Sequence, residues 1–144
     1  MIEQDTIRLL RECDAGIKMG IKSIEDVLDR TKSTDLKRIL QDNREKHGII
    51  DRELQDLLKK YHDEGKDVNF IAEKMAEIKT EIKLQMNKED ETIADLITDG
   101  CNMGVKSLNR YLNQYVAADE KSKDICKRLI NLEEKLVVDI REFL

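Results

Sequence analysis

The stretch Gly16-Ile17-Lys18-Met19-Gly20-Ile21-Lys22-Ser23-Ile24 returns 84 residues later as Gly100-Cys101-Asn102-Met103-Gly104-Val105-Lys106-Ser107-Leu108. Five of the nine positions are identical, and Ile21/Val105 and Ile24/Leu108 are conservative exchanges. The apolar phase continues on both sides of each copy, so the match reads as an internal duplication. Around the first copy, Ile7, Leu10, Ile17, Ile21, Ile24 and Leu28 follow at mostly three- and four-residue steps, with Asp14 in the one missing place. Such spacing lines one face of a helix with a single apolar seam. Ser33, Thr34 and Asp35 then offer an N-cap and a negative first turn for a second helix. That helix carries Leu36, Ile39, Leu40, Ile50, Leu54, Leu57 and Tyr61. It is expected to end around Asp63-Glu64-Gly65, with Gly65 as the left-handed C-terminal residue.

The second copy sits in a helix holding Ile93, Leu96, Ile97, Cys101, Val105, Leu108, Leu112 and Tyr115. Ala117-Ala118-Asp119 forms a short turn with Asp119 as cap, and a last helix carries Ile125, Leu129, Leu132, Leu136, Ile140 and Phe143. Short links between long helices make antiparallel hairpins. The expected organisation is a single all-α domain over 1–144, with hairpin 1 at 1–63, a crossover at 64–90 containing an extra helix, and hairpin 2 at 91–144. A connection of that length travels along the bundle and sets the second helix of hairpin 1 parallel to the first of hairpin 2.

The 144 residues are 40% charged and 40% hydrophobic, with no proline, no tryptophan and only 3% aromatics. This composition fits long amphipathic helices. The net charge of −5 argues against general nucleic-acid binding, which needs a basic surface. No apolar run is long enough to span a bilayer. The opening Met1-Ile2-Glu3-Gln4-Asp5 lacks the regions of a signal peptide. Three cysteines without C-x-x-C spacing fit a reduced, cytoplasmic protein.

Through its helix order, duplicated hairpins and crossover length, the chain resembles the ferritin-like superfamily. More narrowly, it is similar to small bacterial four-helix bundles of that class whose function is unassigned. A shared feature is the acidic-then-glycine run that opens each hairpin's repeat, Glu12-Cys13-Asp14-Ala15-Gly16 and Thr98-Asp99-Gly100. The resemblance implies the one-crossover topology. Metal-binding members also need an inward Glu on two helices and Glu-x-x-His on the other two. Here Arg44 stands three residues before His47 and Lys59 three before His62, while Leu136 and Val137 follow Glu133 and Glu134. The pattern argues against a di-iron centre, and no cofactor is expected.

Asp14, Asn43 and His47 fall on or near the seams of the first two helices. They are the candidates for an altered metal or ligand site, although core hydrogen bonding is their more ordinary role. His62 reads as a last-turn cation. Cys13, Cys101 and Cys126 read as buried structural thiols, with Cys101 the candidate if the chain senses redox state. Gly16, Gly20, Gly100 and Gly104 form two smooth strips expected to allow close helix packing, since mid-helix glycine costs about 1 kcal/mol. Phe70, Ile71, Met75, Ile78, Ile82 and Met86 make an apolar stripe suited to dimerisation. The expected function is therefore that of a non-enzymatic bundle acting through protein contacts, as a homo-oligomer. A metal- or small-ligand-binding bundle is the alternative.

Overall fold

The computed structural model of the protein describes residues 2–66 and 89–144. Among them are four long α-helices: α1 (Ile2–Leu28), α2 (Thr34–Lys60), α3 (Glu89–Gln114) and α4 (Glu120–Ile140), closed by a single 3-10 turn over Arg141–Phe143. The expected crossover helix and its apolar stripe, from Phe70 to Met86, lie outside the described residues.

Both expected N-caps form. Ser33 accepts from the Leu36 backbone N–H at 3.2 Å, and Asp119 accepts from the Ser122 N–H at 2.9 Å. The end of α2 differs from expectation. The helix stops at Lys60, and His62 rather than Gly65 takes the first left-handed conformation (φ 54°). The Asp63 N–H then reaches back to the Leu58 carbonyl at 2.9 Å, the six-residue closure of a Schellman turn. Gly65 has a separate reason for its φ of 91°. A Cβ built there would stand 2.2 Å from Asp14 Oδ2, so only glycine lets the chain fold back over that carboxylate.

The helices pack as a ring in the order α1, α2, α4, α3, with α1 also touching α4 across the diagonal. Polar contacts at the two ends fix their directions. Asp90, at the start of α3, accepts both the Lys32 and Ser33 N–H groups at 2.8 Å, beside the α1–α2 turn. At the other end Asp5 accepts from the Ala117 N–H at 3.1 Å, and Thr6 accepts from the Asp119 N–H at 2.8 Å. The Tyr61 hydroxyl donates to Asp119 there at 3.0 Å. Ring neighbours are therefore antiparallel, and the end of α2 lies at the opposite end of the bundle from the start of α3.

The core divides along the bundle axis. One apolar cluster, including Leu9, Leu10, Leu54, Leu58 and Leu129, fills the end near the α3–α4 turn. A second, including Ile24, Val27, Leu36, Leu40, Ile93 and Ile140, fills the other end. Between them the repeated glycines take side chains rather than backbone. Gly20 receives the His47 ring, whose Nε2 lies 3.0 Å from where a Cβ would stand. Gly104 receives the Glu133 carboxylate oxygens at 2.6 and 2.9 Å from such a position. Gly16 meets only ordinary contacts, with Leu129 at 3.6 Å and Leu108 at 3.9 Å, and Gly100 faces open space. Close packing thus explains Gly20 and Gly104. The expectation is corrected at Gly100, which is exposed and has no neighbour to accommodate.

These contacts rank two of the glycine-to-alanine variants. Gly100→Ala should gain up to about 1 kcal/mol from helix propensity alone. Gly104→Ala should lose stability because the buried Glu133 carboxyl must move. Urea unfolding of both variants checks this, and equal stability of the two would contradict the assignment.

Candidate functional site

The level that separates the two apolar clusters is a polar waist. Each helix breaks its apolar run there: α1 at Gly20, α2 at Asn43 and His47, α3 at Gly104, and α4 at Glu133. Asn43, His47 and Glu133 are 5%, 1% and 6% exposed, so all three have left water. Asn43 and His47 are one helical turn apart and share a face of α2. The Asn43 amide donates to the Leu132 carbonyl at 3.2 Å, which ties α2 to α4 immediately beside Glu133.

His47 Nδ1 lies 3.0 Å from the Asn43 carbonyl oxygen. A carbonyl can only accept, so the neutral ring carries its proton on Nδ1 and leaves Nε2 as a bare acceptor. Burial lowers the His47 pKa from the ordinary 6.5 and outweighs the carbonyl contact, which would raise it. His47 Nε2, Asn43 Oδ1 and Glu133 Oε2 are all buried without a hydrogen-bond partner. Native interiors seldom leave such groups unpaired, because each costs about 1–3 kcal/mol. Glu133 avoids the further cost of a buried charge by staying protonated: burial pushes its pKa from 4.5 up to about 8. Cys101 lies within its influence, and burial together with Glu133 drives that thiol up to about 12. An unionised thiol is a poor nucleophile, so Cys101 reacts slowly while the fold stays closed around it.

Asp14 belongs elsewhere. Its side chain is fully buried and accepts from Lys18 Nζ at 2.9 Å, Gln55 Nε2 at 2.8 Å and the Lys66 backbone N–H at 3.1 Å. Six residues separate it from Gly20 along α1, and its partner Gln55 is eight residues beyond His47 on α2. At 1.5 Å per residue these steps amount to about 9 and 12 Å. The expected grouping of Asp14 with Asn43 and His47 therefore does not assemble. Asp14 instead anchors the chain after α2, supported by the Lys66–Glu12 pair at 2.6 Å and the Arg11–Asp63 pair at 2.6 Å. His62 lies in that same segment, just past the helix end.

Reading the sequence for Glu-x-x-His pairs passes over Glu133, which has no histidine three residues later. The signal is nonetheless present. Glu133 stands four residues after Leu129 and three before Leu136, which places it on the buried seam of α4. Among the described residues no group of three or more His, Cys, Asp or Glu side chains is placed to hold a metal ion. A groove of about 570 Å³ runs outside the waist between α2 and α4, with Asn43 and Leu132 among its lining residues. Its rim mixes Arg38, Lys46 and Lys135 with Asp42, Asp139 and Glu142.

The waist gives stability a defined pH dependence. Between pH 4.5 and about 8 the unfolded chain releases the Glu133 proton while the folded chain keeps it, so stability falls as pH rises through this window. His47 acts in the opposite sense. Its folded pKa is depressed, so the stability it contributes is present above 6.5 and is lost as pH falls. Glu133→Gln should flatten the alkaline limb, by about 1.4 kcal/mol for each tenfold difference between the folded and unfolded acid dissociation constants. Urea unfolding from pH 5 to 9 measures this, and equal slopes for variant and wild type would refute it. Comparison with protein-family models, curated proteins and solved structures finds no match for this chain.

Proposed function

We propose that the chain is a ferritin-like bundle of two duplicated hairpins that acts through protein contact, in the first place with a second copy of itself. The placement of the end of α2 and the start of α3 at opposite ends of the bundle supports a one-crossover connection. The shared position of Gly20 and Gly104 supports the duplication, since each receives a buried polar side chain from the second helix of its own hairpin. One observation carries the functional reading. The helically spaced apolar residues Phe70, Ile71, Met75, Ile78, Ile82 and Met86, read from the sequence, form a stripe suited to a helix interface. A second copy of the chain is the proposed partner for that stripe. The suppressed Cys101 thiol and the structural use of Asp14 favour a non-enzymatic role.

Sedimentation equilibrium tests the proposal. A dimer is expected for the wild type, with Ile78→Glu weakening it by roughly tenfold or more, the equivalent of about 1.4 kcal/mol. A wild-type monomer at every concentration would overturn the reading.

The unpaired waist atoms favour a second reading, binding of a metal or small polar ligand. Nδ1–H directed at a backbone carbonyl is the arrangement that orients a ligating histidine. Elemental analysis after anaerobic incubation with ferrous iron, zinc or manganese and desalting decides the metal case. On this reading a stoichiometric metal is retained and His47→Ala abolishes it, whereas retention by that variant, or no retention at all, rejects it.

A further inference from the structure

We propose that Cys13 and Cys126 form a dithiol pair that peroxide closes into a disulfide between the two hairpins. The placement rests on the diagonal contact. Helices α1 and α4 run parallel and touch where Gly16 faces Leu129, 3.6 Å from where a Cβ would stand. Cys13 precedes Gly16 by three residues and Cys126 precedes Leu129 by the same three. In parallel helices an equal step from one contact leads to the next. The two residues accordingly face each other across the diagonal, close enough for Cys126 to raise the pKa of the Cys13 thiol. Both are fully buried in the same apolar cluster, and both are free thiols in this structure. The Cys126 thiol also lies 3.7 Å from the Leu108 carbonyl, towards which it donates.

The chemistry takes two steps. One thiolate attacks hydrogen peroxide, the O–O bond breaks, and the products are a sulfenic acid and hydroxide, which takes up the proton that the thiol released. The neighbouring sulfur then attacks the sulfenic sulfur and gives up its own proton, and water leaves. Two thiols lose two electrons and two protons, and peroxide is reduced to two waters. Burial and the Cys126 contact hold the Cys13 thiol protonated well above its ordinary range. Reaction therefore waits on local opening and runs faster at higher pH. The product would staple α1 of one hairpin to α4 of the other, enclosing most of the chain in one covalent loop.

The test treats the folded chain, together with Cys101→Ser, with dilute hydrogen peroxide at pH 8, followed by mass spectrometry and non-reducing peptide mapping. The expected product is a monomer about 2 Da lighter whose linked peptides contain Cys13 and Cys126. Its Tm should rise by on the order of 10 °C, because the closed loop is long. The proposal fails if both residues are recovered as thiols while Cys101 is oxidised. It also fails if the pair links only in denaturant.

Discussion

The cost of keeping polar groups out of water organises this bundle. Apolar packing fills both ends, but the waist holds His47 and Glu133 with atoms that no neighbour satisfies. Each is accommodated in the same manner. The side chain lies against a glycine of its hairpin's first helix, and its charge is suppressed by burial. Gly20 and Gly104 accept their helix-propensity cost because a Cβ would strike the ring in one case and the carboxyl in the other. Gly20 and Gly104 thus each leave space for a buried polar side chain from a neighbouring helix.

The parts of the structure legible in the sequence are those governed by local rules. Ser33 and Asp119 cap as their residue types and positions require, and the seam of α4 from Ile125 to Ile140 is buried where its spacing places it. Ile7, Ile21 and Leu28 of the α1 seam, by contrast, are only half-buried, and Leu9 and Val27 lie inside instead. What escapes such a reading depends on partners distant in the chain. Asp14 interrupts a seam, yet its role depends on Gln55 and on the chain returning past Gly65. Local rules assign Gly65 to the helix end, whereas His62 takes that position and the glycine serves the Asp14 carboxylate. Glu133 is legible from its place between Leu129 and Leu136, but the Glu-x-x-His pattern does not select it.

Charge on the surface has a different part. Arg128 joins Glu53 at 2.6 Å across the α2–α4 seam, and Arg44 pairs with Glu25 across α1–α2. These pairs are substantially exposed, and exposed pairs contribute between nothing and about 1 kcal/mol. They select helix register more than they stabilise it. The Asp14 cluster differs because its carboxylate is fully buried and held by three donors.

The end contacts are reciprocal, and this governs how the molecule comes together. Asp90 of the second hairpin satisfies the N–H groups of the first hairpin's turn, while Asp5 and Thr6 of the first satisfy those of the second. Neither turn is complete within its own hairpin. A hairpin severed from the other would expose its apolar seam and also lose the acceptors that finish its turn. Docking and turn formation are thereby coupled, so the two halves fold as one cooperative unit instead of as a pair of preformed modules.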